Sequence, residues 1–501
     1  MRGQRDFWVY VVGSEAKYII GTAAFIAGFV VTWTSPAVGA VLTVLGIVIS
    51  IVTFIQDSRE FHDRWRQVVV DNPAHRNSHP FRPPPFSSAP VVAFPQELSG
   101  YGGEQVWTDP QINLRLAEEA SRIRVHAERR RSHWYSLPPD LESIAARALL
   151  RGSSRRSNNE QRRARPLWFN GRLARIDSEP AGPDGLRHTV TMSRTTYFDG
   201  QASNELWHWS ADKPIDDGGR RLSGAYATDQ YRRILTLEDA GMANIVGVTI
   251  LAITSDDRLI FVRQSNRNSV SPGAFAASAS GSLDWADVLA ATAGDPGRDA
   301  RLATLQRSGV PTDSLHAVVL YGMLRELEEE SAVRPEEVDI DSLHVTSYFR
   351  WLSRGAKPEF SGIARLTCSS AELRERQLDA EESIVTSGHT YVSADVLREA
   401  AASIDPARPW APDLAALVTA LNADQEENHI PLPELGELRP IYIEDDATLT
   451  ALLEAQTDLT RSTGRASAST IATFVGAAAY VHSDPGYLDP SRCPGITRDA
   501  S

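Results

Sequence analysis

Four glutamates fall within five residues of the segment YGMLRELEEESAV, residues 321–333. Glu326, Glu329 and Glu330 are spaced i, i+3 and i+4, so in a helix they share one face. Arg325 precedes Glu329 by one helical turn and can pair with it. Like charges at this spacing repel one another unless a cation compensates them, and carboxylate oxygens on a rigid face suit Mg²⁺ or Mn²⁺. The spacing therefore raises the hypothesis of a divalent-metal site, whose alternative is a solvated acidic helix face.

A single helix must hold these side chains in place. Residues 311–314, PTDS, supply cap residues for a helix predicted from about Leu315 to Ser331. Glu328 points away from the other three glutamates and is expected to be solvated. A different face carries leucines that can pack on a sheet: Leu320, Leu324 and Leu327.

Strands and further helices surround this helix in the sequence. The predicted strands are residues 188–199, 245–254, 259–265, 342–352 and 361–368. Residues 269–285 read as a small-residue loop that contains Gly281. Helices are predicted at residues 393–404 and 412–423, and residues 470–481 are too short to cross a bilayer and are expected in the core. The pattern predicts an α+β fold.

The segment RELEEESAV, residues 325–333, resembles the end of the Nudix box, G-x5-E-x7-R-E-U-x-E-E-x-G-U with U aliphatic. Residues 346–366 also resemble the segment after the box in larger Nudix proteins, and the resemblance covers about residues 240–400. The chain departs from the pattern at Ala317, where the box has glutamate, and at Pro311, where it has glycine. Ala332 replaces the second glycine and is expected to end the helix differently from a glycine.

This resemblance implies a Nudix-type α/β/α sandwich with a mixed sheet. It implies that Glu329 and Glu330 bind Mg²⁺ or Mn²⁺, that Glu326 contributes to metal binding or base catalysis, and that Arg325 orients the glutamates. Gly281 is a weaker candidate for a loop carbonyl ligand. The implied reaction is hydrolysis of a pyrophosphate bond in a nucleoside diphosphate derivative.

Three outlying carboxylates are further candidates for metal ligands: Glu359, Glu381 and Glu382. Such residues are more often plain surface carboxylates. The substrate-binding residues and the other half of the substrate remain unknown from the sequence.

Two uncharged apolar runs, residues 18–33 and 37–55, are joined by only three residues. Their length and lack of polar stripes predict a two-helix membrane hairpin over residues 18–55. A signal peptide and a buried soluble hairpin fit less well. Arginine and lysine flank the pair on both sides, so both termini and the bulk of the chain are expected on the cytoplasmic side of the cell membrane.

The composition limits the function classes. The formal net charge of −13 over 501 residues argues against specific nucleic-acid binding. Cys368 and Cys493 are too few for a disulfide framework or a cysteine-rich zinc site and suit a reducing compartment. The sequence contains no P-loop, HExxH or GxSxG motif.

Between the predicted hairpin and the Nudix-like segment lies a region rich in arginine. Residues 122–131 are expected to be helical and residues 151–166 to form a loop. Both could attract anionic lipid headgroups or a phosphate-bearing substrate. A solvated basic helix and a flexible loop are the commoner outcome, and that interpretation is favoured over any specific site.

The predicted organisation has six parts. They are a cytoplasmic segment (1–17), a membrane hairpin (18–55), a juxtamembrane helix with a proline-rich linker (56–95), an N-terminal α+β region (96–239), a Nudix-like catalytic domain (240–430) and a C-terminal extension packed on the core (431–501).

The leading hypothesis is a membrane-anchored Nudix-type pyrophosphohydrolase that acts on a nucleotide-derived small molecule. The rival is a membrane-tethered nucleotide-sensing, signalling or defence module with little turnover, which Ala317 and Ala332 motivate. A third interpretation is an unrelated acidic helix in a generic α+β protein. The sequence leaves the oligomeric state open.

Overall fold

The computed structural model describes the larger part of the chain. The described residues are 68–70, 81–95, 104–142, 145, 149, 170–205, 209–211, 224–264, 274–376, 386–423, 438–443, 448 and 466–489. The predicted membrane hairpin at 18–55, the arginine-rich loop at 151–166, Glu381 and Glu382 lie outside them. Within these ranges, no helix has the length and apolar character needed to cross a membrane.

The described strands are numbered in chain order. They are β1 (Val68–Val70), β2 (Val91–Ala93), β3 (Gln105–Thr108), β4 (Arg124–Ala127), β5 (Arg172–Ile176), β6 (Ala181–Gly182), β7 (Gly185–Leu186), β8 (Thr189–Thr196), β9 (Trp209–Ala211), β10 (Gly247–Ile253), β11 (Arg258–Gln264), β12 (Phe275–Ala276), β13 (Ala279–Ser282), β14 (Val338–Trp351), β15 (Lys357–Leu366), β16 (Thr386–Ser393) and β17 (Ile441–Ile443).

The described α-helices are numbered in the same way. They are α1 (Pro110–Glu119), α2 (Tyr197–Gln201), α3 (Gly224–Ala227), α4 (Trp285–Ala293), α5 (Ala300–Arg307), α6 (Leu315–Ser331), α7 (Ser370–Arg374), α8 (Asp395–Ala402), α9 (Ala415–Ala423) and α10 (Ala468–Ser483). The predicted helix around the glutamates is confirmed at both ends by α6.

A ten-stranded mixed sheet organises the molecule. Its main path runs β12-β11-β10-β15-β14-β3-β2-β17, with β13 also paired to β10 and β16 to β11. The pairing of β10 with β15 is parallel, while β14 and β15 pair antiparallel. Strands β2, β3 and β17 come from outside residues 240–430, so the sheet extends beyond the predicted catalytic domain. Helices and mixed sheets together confirm the α+β class.

Both faces of this sheet are covered because its central strand is buried on both sides. Val248 and Ile250 of β10 point into a core that includes the leucines of α6. Leu251 and Ile253 point the other way, into a second core that includes α8, α9 and α10. The molecule therefore has helix layers on the two faces of the sheet, and α6 belongs to one of them.

Helix α10 has apolar residues on all sides and is almost wholly buried. It packs against β14, β15 and β10 and against α8. The prediction that residues 470–481 form buried core is confirmed. Gly476 lets this helix approach the sheet, since a Cβ there would lie 2.7 Å from Ser347 Oγ.

A separate three-stranded sheet, ordered β4-β8-β5, lies beside the main sheet. The predicted helix at residues 122–131 is wrong. The chain there forms one turn of 3-10 helix, then β4, which pairs parallel with β8. Val125 is buried between exposed Arg124 and His126, and that alternation is the two-residue period of a strand.

A buried polar contact links this part of the chain to the main sheet. Glu179 accepts hydrogen bonds from Tyr348 Oη at 2.6 Å and from Arg350 Nη1 at 2.5 Å, and all three side chains are buried. Burial raises the pKa of Glu179, while the charge of Arg350 opposes that shift. Loss of either Glu179 or Arg350 would leave the other buried charge uncompensated. This ion pair therefore holds the segment that contains Glu179 against strand β14 of the main sheet.

Candidate functional site

Helix α6 presents the glutamates from a rigidly held position. Ser314 caps its first turn by accepting a hydrogen bond from the Ala317 N–H at 3.1 Å. Leu320, Leu324 and Leu327 are buried in the core, as predicted.

The helix ends at Ala332, which adopts the left-handed conformation with φ 52° and ψ 29°. Its N–H donates to the carbonyl of Leu327. The prediction that Ala332 ends the helix differently from a glycine is wrong, because the residue takes the conformation that a C-terminal glycine favours. An alanine there is strained, since its Cβ disfavours positive φ.

Arg325 is the centre of the site. Its Nη1 lies 2.6 Å from Glu329 Oε2, which confirms the predicted pair. Its Nη2 donates to Glu326 Oε1 and to the carbonyl of Ser282, both at 2.9 Å. Its Nε lies 3.1 Å from each carboxylate oxygen of Asp287. One guanidinium therefore holds three carboxylates and one strand carbonyl.

Glu326 is buried beneath strand β13. Its carboxylate occupies the space where a Cβ of Gly281 would be, so only glycine fits at that position without a shift. Gly281 lies in β13 and pairs with Val248 of the central strand. The expectation of a loop at this glycine is therefore corrected, because the small residues of this segment allow close strand pairing.

The carboxylate cluster comprises Asp284, Asp287, Glu326 and Glu329, gathered around Arg325. Asp284 precedes α4, and its N–H donates to Asp287 Oδ2 at 2.9 Å. Four carboxylates surround one guanidinium, so the cluster carries excess negative charge when its members are ionised. Such an excess attracts cations.

The shifted acidities follow from burial and from this crowding. Burial raises the pKa of Glu326 to about 8. The positive charge of Arg325 opposes this rise, whereas the negative charges of Glu329 and Asp287 add to it. Burial likewise raises the pKa of Asp284 to about 6, again opposed by Arg325. Burial also raises the pKa of Asp287. Groups of perturbed pKa gathered beside one another are typical of functional sites.

Glu330 does not join Arg325. Its Oε2 accepts a hydrogen bond from the Ser280 N–H of β13 at 2.7 Å. Its backbone carbonyl accepts one from His389 Nε2 at 2.8 Å, which satisfies a carbonyl of the last helical turn. Of the three predicted glutamates, Glu326 and Glu329 both contact Arg325. Glu330 instead accepts its hydrogen bond from the backbone of the neighbouring strand β13.

The remaining glutamates are placed elsewhere. Glu328 is exposed and pairs with Arg301 at 2.5 Å. Glu359 is buried, pairs with Lys357 and packs against Gly247. Gly247 and Val248 are consecutive in β10 and point to opposite faces, so Glu359 lies across the sheet from Gly281 and Glu326. The interpretation of Glu359 as an outlying ligand of this site is therefore wrong.

Asp284 and Asp287 were missed by sequence reasoning. Their signal is the D-x-x-D pattern ahead of the apolar run of α4, which is typical of a helix N-terminus. That pattern predicts a capping role, but it does not show that Asp287 meets an arginine of another helix.

The donor chemistry of the cluster fits a hard dication, because carboxylate oxygens are the ligands that Mg²⁺ and Mn²⁺ prefer. Across the described ranges, however, no group of three or more histidine, cysteine, aspartate or glutamate side chains is arranged as a metal site. Glu329 is held by Arg325 and Glu330 by Ser280, so both carboxylates would have to rotate to share one ion.

Comparisons with known proteins add little to this geometry. No protein-family model and no curated protein matches the chain. Among solved structures, it is similar to the crystal structure of DR0079 from Deinococcus radiodurans, with 16% sequence identity and a TM-score of 0.19. The match covers 35% of this chain and 81% of that one. A likeness at this TM-score carries no argument about fold or function.

Proposed function

We propose that this chain is a divalent-metal-dependent hydrolase that cleaves a pyrophosphate bond in a nucleoside diphosphate derivative, with a Nudix-type catalytic unit. The observation that supports this is the carboxylate cluster: four acidic side chains around one arginine on a buried, rigid helix. A fold tolerates such a concentration of like charge when a cation offsets it. The RELEEESAV resemblance supplies the reaction class.

The residues have separate roles in this proposal. Arg325 orients Glu326 and Glu329 through the contacts described above. Glu329 and Glu330 are the metal ligands, because each retains exposed surface while Glu326 does not. A bound Mg²⁺ or Mn²⁺ would polarise the phosphoryl oxygens and lower the pKa of a bound water. Glu326, shielded from solvent and of raised pKa, is the candidate base that takes a proton.

The proposed location is the cell membrane, with the catalytic unit on the cytoplasmic side. Residues 18–55 would span the bilayer twice. Their uncharged apolar runs and basic flanks support this part of the proposal.

The test is an assay of the purified full-length protein against a panel of nucleoside diphosphate derivatives with Mg²⁺ or Mn²⁺. We expect metal-dependent release of a nucleotide product, reduced at least about a hundredfold in Glu329→Gln, by analogy with loss of groups that stabilise transition-state charge. Glu328→Gln is the matched control, since it lies in the same helix and pairs only outward with Arg301. No turnover, or equal turnover in the wild type and Glu329→Gln, rules the proposal out.

A second candidate is a nucleotide-sensing module with little turnover, tethered to the membrane. The favouring observation is that Arg325 already neutralises part of the carboxylate cluster, so this helix is held together by an internal cation. Nucleotide-dependent thermal stabilisation without product formation would distinguish this candidate from the hydrolase.

A further inference from the structure

The three-stranded sheet carries a group of arginines that the carboxylate cluster does not use. In the antiparallel pair of β5 and β8, Arg172 lies opposite Thr196 and Ala174 lies opposite Arg194. Arg172 and Arg194 are therefore diagonal neighbours on one face, about 7–8 Å apart in such a pair. Arg172 is exposed and Arg194 is half-buried.

A third arginine, Arg131 in the segment after β4, lies within electrostatic range of Arg194. The Tyr135 N–H donates to the carbonyl of Arg194 at 3.0 Å, which holds residues 131–135 against the edge of β8. The Arg194 guanidinium stacks over the Trp134 ring at 4.2 Å. This contact fixes the orientation of a planar cation. We name Arg131, Arg172 and Arg194 the arginine cluster.

Within the described part of the chain, the positive charge of this cluster is only partly offset, by Asp199. Among the residues that the structure describes, no carboxylate forms an ion pair with any of the three arginines. Asp199, whose charge acts on Arg194, is bonded to Thr196 through its carboxylate. Burial lowers the pKa of Arg194, the charges of Arg172 and Arg131 lower it further, and the charge of Asp199 opposes this shift.

Strand β5 links the arginine cluster to the segment before α4 through its backbone. Leu173, adjacent to Arg172, forms a bridge with Asp284, and the Ala174 N–H donates to the Leu283 carbonyl at 2.8 Å. Arg172 and Leu173 are consecutive in β5 and point to opposite faces, so the arginines and Asp284 lie on opposite faces of this strand.

We propose that the arginine cluster binds a phosphate-bearing anion, through forked guanidinium contacts to phosphate oxygens. Planar guanidiniums match phosphate geometry with two parallel hydrogen bonds, and mutual repulsion of the three cations is relieved when an anion binds among them. The phosphate can come from a soluble nucleotide or from a lipid headgroup. Phosphate binding by this cluster does not depend on the function proposed above.

The test is calorimetric titration of full-length protein with inorganic pyrophosphate in the presence of a chelator, so that no divalent metal contributes. We expect binding that weakens at least about tenfold in Arg172→Gln/Arg194→Gln, since the variant loses charge-assisted hydrogen bonds to the phosphate oxygens. Arg298→Gln is the control, because Arg298 is exposed on another surface. Absence of binding, or equal binding by the double variant, overturns the inference.

A second arm identifies the source of the phosphate. The titration is repeated with added vesicles of phosphatidylcholine alone or with phosphatidylglycerol. Competition by the phosphatidylglycerol vesicles, absent in the double variant, assigns the cluster to lipid headgroups. Equal binding with both vesicles assigns it to soluble phosphates. Inactive protein that still binds pyrophosphate would disprove the hydrolase but not this inference.

Discussion

The carboxylate of Glu326 lies against the Cα of Gly281, in the space that any larger residue would fill. This contact joins the helix of the glutamates to the strand that pairs with β10. It also explains the burial of Glu326, because a backbone without a side chain covers the carboxylate at close range.

Gly281→Ala is expected to destabilise the protein by about 1–3 kcal/mol, the usual range for an overpacked interior. Denaturant unfolding measures the change. The double variant Gly281→Ala/Glu326→Ala should lose less stability than the sum of the two single losses. The reason is that it removes the carboxylate with which the new Cβ would overlap. Gly297→Ala, in an exposed turn, is the control. Additive effects of the two changes would contradict this account.

Ala332→Gly is expected to stabilise the protein by about 0.5–1 kcal/mol, because glycine adopts φ 52° without the strain of a Cβ. The gain is reduced by the greater entropy of glycine in the unfolded chain. Ala303→Gly in α5 provides the opposite control, since glycine inside a regular helix costs about 1 kcal/mol. A loss of stability in Ala332→Gly would show that the left-handed helix end is not strained.

Arg325→Met is expected to destabilise the protein by about 3–5 kcal/mol, the usual cost of removing one partner from a buried ion pair. The change leaves Asp287 and Glu326 buried without their guanidinium. Adding Glu326→Gln to this variant replaces a buried carboxyl group that has lost its guanidinium partner and should restore part of the stability. Urea unfolding of the single and double variants measures both effects, and a loss below about 1 kcal/mol would show that Arg325 is not the charge centre.

His316 should contribute a loss of stability as the pH falls below about 6.5, whereas Glu326 and Asp284, whose pKa values are raised, contribute in the opposite direction. Burial, with the charge of His344, lowers the pKa of His316 to about 4. Between these two values the unfolded chain binds a proton that the folded protein excludes, so lower pH favours unfolding. The contribution of His316 amounts to about 2 kcal/mol between pH 7 and pH 5.

Denaturant unfolding at the two pH values measures this dependence. Relative to the wild type, His316→Gln should shift the change in stability between pH 7 and pH 5 by about 2 kcal/mol in favour of the folded state at pH 5. His188→Gln, which changes an exposed histidine, serves as the comparison. The same pH dependence in His316→Gln and the wild type would contradict the assignment to this side chain.

Local features of the fold could be predicted from the sequence. Helix α6 has a capping serine, an apolar stripe and a well-defined C-terminal end. All three signals lie in the helix or directly beside it in the sequence. The Arg325–Glu329 pair is equally local, because residues one helical turn apart meet in any helix. The apolar strands β10 and β11 were predicted for the same reason.

Features that depend on residues distant in the chain could not be predicted. Asp287 reaches Arg325 from another helix, and no local pattern shows that meeting. Strand β4 forms because Arg124 and its neighbours pair with β8, whose residues come much later in the sequence. The small residues around Gly281 suit a loop as well as a strand, and pairing with β10 decides between the two.

Addition of Mn²⁺ is expected to raise the unfolding midpoint of the protein, because a ligand that binds only the folded state stabilises it by RT ln(1 + [L]/Kd). The carboxylate cluster and Glu330 provide oxygen donors and an excess of negative charge for that ion. Glu329→Gln should abolish most of the shift, since it removes a proposed ligand that is half-exposed and reachable. Glu328→Gln should preserve the shift, because Glu328 points outward to Arg301. The readout requires no substrate, so it separates metal binding from turnover. If millimolar Mn²⁺ leaves the wild-type unfolding midpoint unchanged, Arg325 alone offsets the negative charge of the glutamates. The nucleotide-sensing module then becomes the better proposal for this protein.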